Sequence, residues 1–432
     1  MILRNARFRR LLIGETVSSF GDSAMYLSLA IWAKELTGSD ASAGLVFLFL
    51  TVPGLGSPLM GYLVDRVNRK PLLLWMYGGM ALIVLSLLMV RTTDQLWILY
   101  LVAFCYGILF NTPARNALLK DLLPSSDAAQ ARSLLIATRE GVRIASPAVG
   151  AGIYAAWGGG FLALADAMTF VVAMVMLASI KVTESLPAAS GERFRTQIAA
   201  GFRYIHQVPL LFRLTAAIAS FMLVAGLLES AAFAAIDEGL GLPATFFGIA
   251  ASVQGAGSVL SGLLAGPLVK RFGESRISGV GYSVVAVAMC LCVTRETNLF
   301  LLGVALNGIG MPMVIVAMGT ATHLYTPSRL QGRVQSAVNM TSGGTQSVSI
   351  AAGAAMIGII DYRIMYALIV LAALMAAIAI LSRPASAPAV VASLADESPT
   401  TSEKAVARGP EQVDSGDRGR DAEGPPVRRA GR

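Results

Sequence analysis

Gly61-Tyr62-Leu63-Val64-Asp65-Arg66-Val67-Asn68-Arg69-Lys70 closes one long apolar run, and Gly266-Pro267-Leu268-Val269-Lys270-Arg271-Phe272-Gly273-Glu274 closes another about 205 residues later. A second pair of segments echoes in the same order. Leu123-Pro124 leads to Gln130-Ala131-Arg132-Ser133, and Thr326-Pro327 leads to Gln331-Gly332-Arg333-Val334-Gln335-Ser336. One chance match carries little weight, but two at matching places in each half identify a duplicated unit.

Outward from these loops, apolar runs of roughly 17 to 25 residues recur along the chain. That is the length a helix needs to cross about 30 Å of hydrocarbon at about 1.5 Å per residue. The runs predict helices over residues 11–33, 44–63, 72–90, 96–117, 133–156 and 161–180, then 214–236, 247–269, 277–293, 299–324, 334–360 and 364–381. The expected fold is therefore an all-α integral membrane protein, with twelve transmembrane helices in two pseudo-symmetric six-helix bundles. Composition agrees: of 432 residues, 55% are hydrophobic and 14% charged, and the mean hydropathy is +0.66. Soluble domains do not carry that much apolar sequence. The second and eighth segments, rich in Gly and Pro, are expected to tilt or bend.

Cytoplasmic loops retain Lys and Arg, which orients the chain. With the N-terminus inside, the N-terminal end and the inner loops hold twenty basic residues, among them Arg66, Arg69, Lys70, Arg115, Lys270, Arg271 and Arg333. The outer loops hold four: Lys34, Arg91, Arg295 and Arg363. Both termini are thus expected in the cytoplasm, and the net charge of +8 reflects topology rather than nucleic-acid binding, for which no aromatic-rich basic module is present. Residues 11–33 contain Glu15 and Asp22 and so read as a retained first helix, not a cleaved signal. Cys105, Cys290 and Cys292 lie inside predicted helices, with only His206 and His323 as other soft ligands. No disulfide framework, metal site or cofactor is expected from them.

Four regions follow: a bundle over 1–180, a connector over 181–213, a second bundle over 214–383 and a tail over 384–432. In the connector, Phe194, Ile198, Phe202, Ile205 and His206 recur at helical spacing among Arg195, Arg203 and Gln207. An amphipathic helix on the inner leaflet, or one packed on the bundle, both fit this pattern. The tail has too few large apolar residues to offset its ordering entropy and is expected to be disordered.

Ionisable side chains at mid-bilayer depth cost about 2.5 to 3.5 kcal/mol on insertion scales, so they face the protein interior and mark a pathway. Asp22 stands midway along the first helix, roughly 16 Å from its inner end and too short to snorkel. It is the first candidate for proton coupling, with a plain hydrogen bond to a neighbouring helix as the other reading. Glu15, one turn inside, is expected to reach the interface. Arg139, Glu140 and Arg143 share one face of the fifth helix at i, i+3 and i+4 spacing. They form a self-neutralised set at a gate, or they leave Arg143 to pair with Asp22 or an anionic substrate. Glu140 joins the coupling candidates and the two arginines the gate candidates. Asp166 reads as structural. Glu229, deep in the seventh helix and opposite the first by pseudo-symmetry, is the second coupling candidate. Asn111, Gln254, Asn307, Asn339 and Gln346 supply neutral hydrogen-bonding groups, for helix packing or for a cavity wall.

Gly61 to Lys70 is similar to the loop motif G-x-L-a-D-r-x-G-r-k between the second and third helices of the major facilitator superfamily. Gly61, Leu63, Asp65, Arg66, Arg69 and Lys70 match, and Asn68 replaces a glycine. In that family the motif latches the outward-facing state, which the resemblance implies for Gly61, Asp65, Arg66 and Arg69. The second copy carries Lys270 in place of the aspartate, so the latch is not expected there. Ser19-Phe20-Gly21-Asp22, Asn111-Thr112-Pro113-Ala114-Arg115, Ala165-Asp166-Ala167-Met168-Thr169-Phe170 and Gln331-Gly332-Arg333 resemble the bacterial macrolide and siderophore efflux branch. The fifth helix keeps Pro147 and Gly150 of the antiporter signature, while Ser146 and Ala151 replace expected glycines. Pro147 and the small residues around it predict a kink.

The resemblance implies a secondary active transporter of the bacterial cytoplasmic (inner) membrane. Its expected partners are protons, the lipid bilayer and a small amphipathic molecule, exported by alternating access, and the expected state is a monomer. No Walker loop, Gly-x-Ser-x-Gly elbow or metal cluster is present in the sequence, so no enzyme is expected. A proton-coupled nutrient symporter remains an alternative, as does a non-transporting membrane sensor or assembly factor signalling through the tail.

Overall fold

The computed structural model describes residues 5–56, 60, 64, 66–110, 114, 115, 118, 122, 125–182, 184, 194–327 and 330–382. Gly61, Asp65, Asn111, the side chain of Glu140 and the tail after residue 382 lie outside the described residues, so the latch is described only at Arg66 and Arg69.

The first half contains α1 (Ala6–Thr37), α2 (Asp40–Leu55), α3 (Arg69–Leu85), α4 (Leu96–Phe110) and α5 (Ser125–Ala178). Asn5 starts α1 by accepting the Arg7 and Phe8 amides at 3.0 and 3.4 Å, and Gly38, at φ 69°, ends it. α5 is two membrane passes joined without a loop, because Gly158 at φ 79° breaks the helical run between them. Pro147 lies within the first arm, and the backbone leaves helical angles at Gly158 rather than there.

The amphipathic α6 (Phe194–Gln207) leads into the second half: α7 (Pro209–Ala225), α8 (Leu228–Ala234), α9 (Phe246–Phe272), α10 (Glu274–Cys292), α11 (Thr297–Leu324), α12 (Gln331–Met356) and α13 (Tyr362–Leu381). The seventh predicted helix is thus broken into α7 and α8, and α8 ends in a π turn over Ala235–Gly239. The break falls where α12 packs tightly, since a Cβ on Gly226 would lie 2.6 Å from the Ile350 amide nitrogen.

Eight stretches among the described residues are long and apolar enough to span a bilayer. One of them covers both arms of α5. With those arms as separate passes, and with the charged α1, the short α2 and the hydroxyl-rich α12 added, the twelve predicted crossings are accounted for. α12 tolerates its polar composition because Thr341, Ser342, Thr345 and Ser347 donate to carbonyls four residues back, at 2.8 to 3.0 Å.

Buried apolar side chains form one cluster drawn almost wholly from residues 8–180 and another from 204–380, and the halves pack into one compact body. The outer surface is apolar in the way lipid requires, with Trp75, Trp97, Trp157 and Ile359 all exposed. α6 is packed on the bundle along one edge: Tyr204 donates to the Tyr325 carbonyl at 2.8 Å, and Gly201 meets the backbone of Arg333. Its other edge leaves Phe202, Arg203, His206 and Gln207 exposed.

Candidate functional site

Three features lie where the halves meet or next to that seam. The first is a cavity of about 660 Å³ between the two bundles. α1 contributes Ser23 and Tyr26, α5 contributes Arg139, Arg143 and Pro147, α8 contributes Glu229, α9 contributes Gln254, and α11 contributes Asn307. Aromatic rings from both halves, including Phe110 and Tyr366, complete the wall. A cavity of this size suits a drug-sized molecule. Glu229 stands in the first turn of α8, three residues past Gly226. Among the described residues no hydrogen bond or ion pair holds the Glu229 carboxyl. Tyr26 lies within electrostatic reach of both Glu229 and Arg143.

The second feature is a buried charge cluster inside the first half. Asp22 is only 2% exposed and does not line the cavity. Its Oδ2 lies 3.9 Å from Nη2 of Arg115, whose Nη1 lies 3.5 Å from Glu15 Oε2. Tyr77 donates its hydroxyl to Glu15, and the Arg115 guanidinium sits 5.5 Å from the Tyr77 ring centre. Asp166 completes the group, accepting from the hydroxyls of Tyr106 and Thr169. Among the described residues, Asp22 Oδ1 and the Nε and Nη2 of Arg115 have no hydrogen-bond partner. Such a cluster buries more hydrogen-bonding groups than it satisfies. Arg139, on the cavity wall, is near enough to act on Asp22 electrostatically.

The third feature closes one end of the seam. Lys34, at the end of α1, lies 2.6 Å from Asp40 Oδ1 in its own half and 2.9 Å from Asp237 Oδ2 in the other. Its ammonium also donates to the Phe233 carbonyl at 3.4 Å. Beneath it Phe47, Phe233 and Phe247 stack across the seam, with ring centres 4.6 to 6.5 Å apart.

Several sequence candidates therefore sit elsewhere than expected. Asp22 is neither solitary nor in the cleft, and Arg115 takes the place next to it that Arg143 was expected to fill. Glu15 turns inward to Tyr77 and Arg115 instead of reaching the interface. Asn339 does not line the cavity and accepts from Gln335 at 2.9 Å, one turn away on α12. Glu229, Arg139, Arg143 and Gln254 do share one wall. Sequence reasoning missed Arg115 and Lys34, both counted as loop cations.

The family model of the Major Facilitator Superfamily matches residues 11–234 and 224–412. The chain belongs to this superfamily. This member is 28% identical over 357 residues to the uncharacterized MFS-type transporter YfiS of Bacillus subtilis, covering 77% of the chain and 83% of that protein. It is 26% identical over 184 residues to macrolide efflux protein A of Streptococcus pyogenes, covering 41% and 45%. In fold it is similar to a bacterial homologue of the iron transporter ferroportin solved in an inward-facing state, with a TM-score of 0.67, 16% identity and coverage of 88% and 99%. This facilitator is thus a multi-pass membrane transporter with efflux-type relatives, and not an enzyme.

Proposed function

We propose that this facilitator is a proton-coupled exporter that carries an amphipathic small molecule through the cavity between its halves. The observation that carries the reading is the juxtaposition on one wall of Glu229 from the second half with Arg139 and Arg143 from the first. Mid-membrane charges are costly to keep, and groups from opposite halves are separated or joined as the halves rock. The count of basic residues turns the Lys34 end outward and both termini to the cytoplasm. The seam is then shut toward the outside by Lys34, Asp237 and the three phenylalanines, as a state that loads from the cytoplasm requires.

Glu229 is where proton and cargo meet. As a carboxylate it accepts a donor group of the cargo. Once the halves rock outward, a proton from outside neutralises it and releases the cargo, and the neutral carboxyl makes the return passage. Asp22 is the second proton site, screened from cargo. Its protonation would leave Arg115 to Glu15 alone and loosen α1 against its neighbours. One chain holds both halves and the whole cavity, so a monomer suffices.

Everted membrane vesicles with an imposed acid interior test the reading. Ethidium should accumulate inside when the gradient is applied, and the Glu229→Gln chain should lose the gradient effect. Accumulation only in right-side-out vesicles would replace export by uptake. Absence of flux in both, with loss of a cellular phenotype on deleting residues 384–432, would favour a sensor.

A further inference from the structure

We infer that the exposed edge of α6 is a binding surface for anionic phospholipid, with Arg203 and His206 at the headgroup phosphate and Phe202 among the upper acyl chains. The inference rests on the orientation proposed above, which makes this the cytoplasmic leaflet. Helical spacing divides α6 into two faces. Gly201, Tyr204 and Ile205 are buried against the second half, while Ala199, Phe202, Arg203 and His206, at i, i+3, i+4 and i+7, are exposed.

Contacts near the end of α6 fix the height of this edge. Tyr204 donates to the carbonyl of Tyr325, the residue that follows α11, at 2.8 Å. Arg213, in the second turn of α7, donates to the carbonyls of Ala379 and Ile380 in the last turn of α13, each at 3.3 Å. α6 therefore lies where spanning helices leave the bilayer. The His206 ring meets the Phe212 ring edge-on at 5.2 Å, and Phe212 is 46% exposed near the start of α7, within a stretch long and apolar enough to span. The exposed edge of α6 thus continues the face that α7 turns to lipid.

Charge selects the lipid. From Phe194 to Arg213 the chain carries Arg195, Arg203 and Arg213 and no Asp or Glu. Arg213 is engaged with the end of α13, whereas among the described residues no hydrogen bond or ion pair holds the Arg203 side chain. A guanidinium takes a phosphate through two parallel hydrogen bonds, and its charge is favoured beside an anionic leaflet. A zwitterionic lipid offers the same phosphate with its own cation next to it and so gains less. In water Phe202 and Phe212 would both stand uncovered, and the boundary of headgroups and acyl chains covers them while leaving Arg203 and His206 at the phosphates.

The test uses the purified full chain with Cys105, Cys290 and Cys292 replaced by alanine and with Ala199→Cys carrying a bimane fluorophore. It is reconstituted in phosphatidylcholine vesicles that contain increasing fractions of a quenching lipid with a nitroxide on the upper acyl chain, either phosphatidylglycerol or phosphatidylcholine. The phosphatidylglycerol form should reach half-maximal quenching at a mole fraction about fivefold lower, the factor one basic residue near an anionic surface supplies. Arg203→Gln in the same chain should bring the two lipids to within about twofold, since the guanidinium supplies most of that factor. Arg9→Gln, exposed at the start of α1 in the other half, should leave the preference unchanged. Both lipids are compared in one labelled chain, so the main readout needs no charge variant to fold. Equal quenching by the two lipids, or a preference that survives Arg203→Gln, overturns the inference. So does a label reached by iodide in water and by neither lipid, which would leave the edge to a cytosolic partner. Any of these results while everted vesicles still accumulate ethidium leaves the exporter reading intact.

Discussion

Lys34 Nζ lies 2.9 Å from Asp237 Oδ2 across the seam and 2.6 Å from Asp40 Oδ1 within its own half. The Lys34 side chain is 8% exposed and those of Asp40 and Asp237 are 16% and 61%. The two pairs therefore do different work. The Asp40 pair lies within one half and compensates the buried ammonium, while the Asp237 pair crosses the seam and would be lost if the halves parted there. Asp237→Asn should raise labelling of a cysteine placed at Ala232, in a cysteine-free chain, by an impermeant maleimide added from outside. About 1 kcal/mol lost from the closed state corresponds to roughly a fivefold gain. Asp40→Asn should instead lower the melting temperature of both states, without a comparable change in labelling. Equal effects of the two variants on labelling would remove the gate assignment.

Arg115 is the cation that lets Glu15 and Asp22 be buried together. Removing one partner of a buried charge group leaves the rest uncompensated, at a cost of about 3 to 5 kcal/mol. Arg115→Gln should therefore unfold at a markedly lower temperature in detergent. Asp22→Asn in the same chain should recover a large part of the loss, because Glu15 keeps the Tyr77 hydroxyl. Arg115→Lys should recover less, since one ammonium cannot reach both carboxylates as a guanidinium fork does. A double variant no more stable than Arg115→Gln alone would show that Asp22 and Arg115 are not coupled.

What was legible in the sequence follows from the energetics of the bilayer. Length and hydropathy locate spanning segments, and the high cost of charge at depth singles out Glu229, Arg139 and Arg143, which the structure gathers on one wall. Arg115 and Lys34 were not legible because each lies near a predicted helix end. There a basic side chain reaches water as easily as it turns inward, and only the tertiary position of Glu15, Asp22 and Asp237 decides which. The break before Glu229 was equally hidden. Gly226 reads as one more small residue in an apolar run, and its meaning comes from the backbone of α12 pressed against it.

Gly150 and Gly152 lie two residues apart on α5, and the structure gives them different surroundings. A Cβ at Gly150 would lie 2.6 Å from the Ala24 carbonyl oxygen and 2.7 Å from its Cα, whereas one at Gly152 meets nothing within 4 Å. The first glycine is what lets α5 touch the backbone of α1 two residues past Asp22. Gly150→Ala should force the helices apart at a cost of about 1 to 3 kcal/mol, and Gly152→Ala should be neutral or slightly stabilising. Thermal unfolding of the two variants side by side checks this, and similar melting temperatures would contradict the close contact.

Glu184, beyond the end of α5, accepts from the backbone amides of Arg69 and Lys70 at the start of α3. Lys70 returns the link, donating its ammonium to the carbonyls of Ala178 and Ile180 at 3.1 and 2.7 Å. The carboxylate thereby caps two of the open amides of a helix N-terminus, where negative charge is favoured, and fastens the start of the connector to the loop motif shared by the superfamily. Glu184→Ala should cost about 1 kcal/mol, as loss of an N-cap does. Hydrogen exchange at the Arg69 and Lys70 amides should quicken about fivefold, because local opening there is held back by that bond. Glu184→Gln, which keeps one acceptor oxygen but loses the charge, should fall between the two. Unchanged exchange at both amides in Glu184→Ala would mean that water serves α3 as well as the carboxylate does.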